Sequence, residues 1–430
     1  MSLTAVYKER LVTPSTFTPR LCFRALGILT VLLQGCRDHA ADTPRERSSD
    51  ACAERLITHA KLYASPDAEV VEDATIRIRD GHFVEVKAGA TDNRVPAGCT
   101  IDAGGRVATA GFWNAHVHHI DPALANEETA GPRLSEMFLS RGFTSVVDMG
   151  ADPNVLSRLR QAITAGRVVG PRIVVFGGGF VYKDGTPSYL PQGTLPEIHE
   201  VAEAAPAVNA VLDAGANGIK IFSGSFQTPT SSKYLPAEII EAVTQSAHAR
   251  GVYVATHPTD RQSVLAAVDN GVDVVAHTVP PAGKLEPDLL ERMHTRKIAL
   301  IPTIKLWSWE LAHHNVPRSI IDSFVETSVG QLRDYHDLGG EILFGTDAGY
   351  MTDFDTTDEF RAMERAGLDF RAILASLTTT PAQRFVKLTA TVSVGNEADL
   401  VILENDPAKD VTAFAHPIMT IRGGQVVYTK

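Results

Sequence analysis

Between residues 110 and 391 the chain repeats one unit: an apolar run of strand length, then a stretch with helical periodicity, many of them announced by glycine or proline. The runs are AHVH, TSVVDMG, RIVVFGG, GIKIF, VYVATH, VDVVAH, IALIPT and EILFGTD, and segments such as VLSRLRQAITAG, AEIIEAVTQSAHARG and RQSVLAAVDNG separate them. Apolar strands joined by helical crossovers build parallel sheets. Eight such units over about 280 residues predict an α/β chain with a (β/α)8 TIM-like barrel, a fold that takes about 250 residues. An open doubly wound sheet is the alternative, but no GxGxxG opens the first unit.

The flanks follow another rule. RLITHAKLYAS, EVVEDATIRIRDGHFVEVKAG and CTIDAGGRVATAG alternate with the period of a strand between Gly, Asp and Asn turns, and ADLVILEND and IMTIRGGQVVYTK do so at the far end. A small sheet domain built from both termini, residues 53–109 and 392–430, is therefore expected to flank a catalytic barrel over 110–391. Residues 37–52 include the polar, aperiodic DHAADTPRERSS and read as a tether. In residues 1–36, Arg20 and Arg24 precede ALGILTVLL, the pattern of an export signal. Leu33-Gln34-Gly35-Cys36 resembles a bacterial lipobox, whose cysteine becomes lipid-modified; a plain signal cut near Ala40-Ala41 is the alternative. The expected location is the bacterial cell envelope, periplasmic or held by that anchor. No apolar run reaches the ~18 residues of a membrane span, so only the anchor would engage a membrane. With Cys22 and Cys36 in the signal, Cys52 and Cys99 remain as a disulfide pair or as two unrelated buried thiols. The formal charge is −11 although Lys8, Arg10, Arg20 and Arg24 gather at the start. So acidic a body argues against nucleic acid as a partner.

The stretch GFWNAHVHHI holds three histidines. On a strand, residues two apart share a face, so His116 and His118 point together while His119 points elsewhere. Alone, that pair fits satisfied core histidines as well as ligands. Other runs extend it: VYVATH ends in His257, VDVVAH in His277 and EILFGTD in Asp347, while GIKIF carries Lys220 between two isoleucines. Barrel active sites lie at the C-terminal ends of the strands, so these residues are expected to converge. Burial favours the neutral amine of a lysine, which can react with carbon dioxide to give a carbamate able to bridge two cations. Four histidines, an aspartate and a carbamate, with no thiolate, suit divalent metals, Zn²⁺ first.

With these residues in place the chain resembles the amidohydrolase superfamily, in its prolidase-like and imidazolonepropionase-like branch. The likeness runs through Ala110-Gly111-Phe112-Trp113-Asn114-Ala115-His116-Val117-His118, Gly142 to Asp148, Gly218-Ile219-Lys220, His257, His277 and Gly345-Thr346-Asp347. It closes with LTTTPAQRF and VGNEADLVILENDP. The resemblance implies a β-sandwich made by both termini. It also implies that His116, His118 and Asp347 bind one metal, His257 and His277 the other, and carboxylated Lys220 bridges them. The implied reaction is hydrolysis of an amide or peptide C–N bond, in a dipeptide or N-acyl amino acid, by a hydroxide held between the cations. Asp347 would shuttle the proton, and Tyr234 resembles a tyrosine placed near the substrate carbonyl. Asn114 stands where the family has aspartate, and AGYMTDFDTTDEF departs from the prolidase pattern after Asp347.

Lesser candidates divide by position. His294, His313 and His314 are expected on solvated surface, and Asp148 as support for the site. Trp307 and Trp309 either line a pocket or fill core. Lys305 is expected to snorkel at the surface, with receipt of a substrate carboxylate as the alternative. Competing functions are a one-metal deaminase, a lactonase or esterase on the same site, and a non-catalytic scaffold. Deaminases of this type lack the fourth-strand lysine, and a scaffold would have lost ligands. The sequence leaves open whether the chain forms a homo-oligomer.

Overall fold

The computed structural model describes residues 52–89, 95–96, 98–228 and 230–430; the export signal, Cys36 and the tether up to residue 51 lie outside them. The expected alternation produces seven parallel strands in sequential order: Phe112–Val117, Phe143–Met149, Arg172–Phe180, Gly218–Phe222, Val254–His257, Val274–Ala276 and Ala299–Ile301. The eighth run closes the ring without becoming a regular strand. Bridges Leu300 to Ile342 and Val117 to Ala348 hold its two ends. Between them Ala115 N–H donates to Phe344 O at 2.7 Å and Asp347 N–H to His116 O at 2.8 Å. Asp347 has φ +61°, which turns the chain out of the extended region before a second ladder can form.

Helices cover the barrel with their apolar faces. In Pro153–Thr164, capped by the Asp152 side chain on Asn154 N–H, the buried residues Leu156, Leu159, Ala162 and Ile163 fall at helical spacing. Strand residues two apart, Val147 with Met149, Val174 with Phe176 and Ala299 with Ile301, form one buried cluster with Trp113, Ala115 and Leu343. That cluster is the packed barrel interior, closed by Ala382 and Phe385 of the helix Thr379–Val386.

The terminal segments build a mixed eight-stranded sheet. Its path runs Gln425–Thr429, Pro417–Arg422, Leu400–Leu403, Val107–Ala110, Glu54–Tyr63, Val71–Arg79 and His82–Ala88, with Thr100–Asp102 pairing Glu54–Tyr63. Leu400–Leu403 pairs antiparallel with Val107–Ala110, so the two ends of the chain meet in mid-sheet. Ile57, Leu62, Ile76, Phe83, Leu400 and Ile402 make its core. Cys52 and Cys99 are joined by a disulfide. Arg172, at the start of the third barrel strand, pairs with Glu397 and Asp399 and ties barrel to sheet.

Candidate metal centre

The C-terminal ends of the strands bring the expected residues to one cavity of about 190 Å³, lined by His116, His118, Lys220, His257, His277 and Asp347. His118 Nε2 lies 2.9 Å from Asp347 Oδ1, and His116 Nε2 lies 3.4 Å from the same oxygen and 3.3 Å from His118 Nε2. Among the described residues these three present donor atoms all within 4.8 Å of one another. His277 adjoins them, with Nε2 3.9 Å from Asp347 Oδ2, and its ring stands 5.1 Å from that of His257. Lys220 is buried in the same wall, its Nζ 5.6 Å from the Phe222 ring.

The backbone is bent to make this possible. His277 at φ +78°, Thr303 at +47° and Asp347 at +61° are all left-handed, at the ends of the sixth, seventh and eighth positions. Such conformations cost energy and persist where surrounding structure holds them, often at functional sites. Thr303 Oγ1 meets His277 Nδ1 at 3.1 Å, leaving Nε2 toward the cavity. Asn114 serves the eighth position: its amide donates to Thr346 Oγ1 at 2.7 Å and its carbonyl accepts from Thr346 N–H at 3.1 Å. Gly345 is obligatory beside it, since a Cβ there would sit 2.4 Å from Ile301 Cγ2 and 2.9 Å from His116 Cβ.

Burial sets the protonation states. It holds His116 and His277 well below the usual imidazole range and pushes His257 down to about 3, with the charge of Lys220 adding to the effect on His257. Burial lowers Lys220 to about 8 against the pull of Asp347 and Asp148. Neutral imidazoles are the ligating form. His257 Nε2 and Asp347 Oδ1 are buried without a hydrogen bond, which leaves their lone pairs for a cation. The donor set thus fits divalent cations.

His119 turns away from the cluster: its Nδ1 and backbone N–H both meet Asp148 Oδ2, at 2.9 and 2.7 Å, and Ala151 N–H takes the other oxygen. Asp148 is thereby a support beneath the first strand's end. Tyr234 is not brought to the cavity; it ends the hairpin Gly224–Thr228 and Ser231–Tyr234, and its hydroxyl donates to Asp260 Oδ2 at 2.5 Å. Lys305 neither snorkels nor faces the cavity. It is buried against Asp353 at 2.8 Å and donates to Asp355 O. Trp307 lines the cavity, its indole N–H donating to Thr278 O at 3.1 Å, whereas Trp309 lies over His313. His294, His313 and His314 are exposed. Tyr189, Phe222, Phe226, Glu310 and Tyr350 are among the other wall residues and were not anticipated as site residues. Position is the signal that could have found Tyr350, three residues beyond Asp347 at a strand end.

A barrel with this donor set at its C-terminal mouth defines a metal-dependent hydrolase acting on carbon–nitrogen bonds. The chain belongs to the amidohydrolase family, whose model matches residues 107–427. It is similar to an ochratoxinase of Aspergillus niger, 23% identical over 427 residues covering 85% of this chain and 84% of that protein. A shorter match, 28% over 153 residues, covers 35% of this chain and 30% of an L-hydantoinase of Paenarthrobacter aurescens. Among solved structures, an Xaa-Pro dipeptidase with methionine bound in its active site superposes with a TM-score of 0.75 at 21% identity, covering 88% of this chain and 100% of that one.

Proposed function

We propose that the protein is a binuclear-metal hydrolase of amide or peptide C–N bonds in dipeptides or N-acyl amino acids. One cation is assigned to His116, His118 and Asp347, the other to His257 and His277, with carboxylated Lys220 between them. The observation that carries the reading is the convergence of these six side chains, from five barrel positions, on one cavity in which burial holds His116, His257 and His277 neutral. When bound, two divalent cations, Zn²⁺ first, would supply an activated water at neutral pH and would polarise the scissile carbonyl.

The chain's own groups do the rest. Lys220, lowered to about 8, presents enough neutral amine to attack the carbon of CO₂; an N–C bond forms, a proton leaves, and a carbamate with two oxygens remains. Asp347 lies between His118 on Oδ1 and His277 on Oδ2, placed to accept the proton of the attacking water and return it to the leaving nitrogen. The likeness to a dipeptidase supports the bond type. The Cys52–Cys99 disulfide supports a cell-envelope location, where thiols oxidise.

The test is metal analysis with turnover. Protein treated with zinc and ¹³C-bicarbonate should hold two metals per chain, show a carbamate ¹³C resonance that Lys220→Ala removes, and hydrolyse members of dipeptide and N-acyl amino acid libraries. One metal per chain with an unmodified Lys220, or lactones cleaved and no amide touched, would overturn it.

A further inference from the structure

Beyond the histidines, the cavity wall is aromatic and carries a carboxylate. Leu306, Trp307 and Glu310 come from the helix Ile304–His313, Tyr350 from the turn after Asp347, and Tyr189 from the segment after the third strand. The Tyr350 hydroxyl donates to Glu310 Oε2 at 3.0 Å, and its ring lies 5.4 Å from Tyr189. Burial and the charge of Glu310 keep that hydroxyl protonated, so it donates and adds no second anion. His314 meets the other Glu310 oxygen at 3.1 Å; the His314 side chain is 57% exposed and that of Glu310 24%. The carboxylate is thus half-buried, oriented, and reached from the cavity side.

No cation of the wall answers it. Among the described residues lining the cavity there is no arginine, and the single lysine is Lys220, in the metal set. Lys305, the nearby candidate for a substrate carboxylate, is consumed by Asp353 and Asp355. A carboxylate partly removed from water strengthens attraction to a cation and repulsion of an anion, and aromatic faces add a further preference for cations. We propose that Glu310, with Tyr350, Trp307 and Tyr189, forms a cation-receiving subsite, so that the substrate carries an ammonium group at the end remote from the scissile bond. The inference rests on reading this cavity as the hydrolase's substrate site. It narrows the substrates to amides or dipeptides with a free ammonium, and disfavours N-acyl amino acids whose only charge is a carboxylate.

A binding measurement on the metal-loaded protein tests it without turnover. Phenethylammonium and the neutral 2-phenylethanol are titrated at pH 7 into the natural chain and into Glu310→Gln. The ammonium should bind ~10-fold or more tighter to the natural chain, and the preference should shrink to ~2-fold or less in the variant. Equal binding of the two probes, or a preference that survives Glu310→Gln, would overturn the subsite. Hydrolysis of 6-aminohexanoyl and hexanoyl 4-nitroanilides reads the other question: ammonium preference without cleavage of any amide leaves the subsite and removes the hydrolase, and cleavage without preference does the reverse.

Discussion

At the scale of single residues, two side chains near Gly345 do different work although they sit at adjoining barrel positions. Asp347 stands beside the imidazoles of His116, His118 and His277; under the proposed role as proton shuttle, Asp347→Asn should lower turnover by ~10²–10⁴-fold, with far-UV circular dichroism unchanged, and intact turnover would dismiss it as the shuttle. Asn114 is buried and does not line the cavity. Its carbonyl accepts from the N–H groups of Thr346 and His116, so Asn114→Ala takes this acceptor from His116 N–H and leaves Thr346 N–H only its longer bond to His116 O at 3.3 Å. Urea denaturation should show a loss of about 1–3 kcal/mol. The histidine and aspartate candidates were legible because they stand at the ends of apolar runs, and Lys220 because it interrupts one between two isoleucines; a polar residue at either place has few structural reasons to be there. The wall residues Tyr189 and Tyr350 were not, because loops have no periodicity against which a residue can stand out, and Glu310 was not, because a carboxylate on a helix reads as solvated face. Tyr234, suggested by the family resemblance, donates its hydroxyl to Asp260, 26 residues further along, and does not line the cavity.

Among elements, the eighth barrel position is where sequence and structure part. EILFGTD reads as a strand, yet Gly345 and the left-handed Asp347 leave only bridges, because presenting the carboxylate takes precedence over the ladder. The hairpin Gly224–Thr228 and Ser231–Tyr234 was also unread, its runs being too short and polar to register as strands. Gly349, just beyond, is the sharpest constraint in this segment. Its φ is +105°, and an added Cβ would lie 1.8 Å from His118 O. Gly349→Ala should therefore displace His118 and release metal during dialysis faster than the natural chain, measurable by elemental analysis. Unchanged metal retention would mean the turn can move without disturbing the ligand. In the terminal sheet, the disulfide spans 47 residues between Cys52 and Cys99, and Cys99→Ser should cost about 2–4 kcal/mol of stability.

For the whole molecule, the metal site and the fold are coupled through protons. Residues 52–430 form one compact unit, so proton uptake at the site is paid across barrel and sheet together. The direction follows from the buried imidazoles. Their proton affinity is lower in the folded protein than in the unfolded chain, where histidine titrates near 6.5. Below that pH the unfolded chain binds more protons, so the stability held by neutral His257 is present above 6.5 and lost as pH falls toward about 3. At pH 5 the loss from His257 is on the order of 2 kcal/mol, with His116 and His277 displaced in the same direction. Chelator-treated protein should accordingly unfold at lower urea at pH 5 than at pH 7.5, and His257→Gln should flatten that difference. Bound metal adds stability by mass action and demands the deprotonated ligands, so its contribution should also fade on acidification. A slope unaltered by His257→Gln would place the acid sensitivity elsewhere, among carboxylates such as Asp148 and Asp406, whose native partners hold them below the ordinary carboxylate range against the effect of burial.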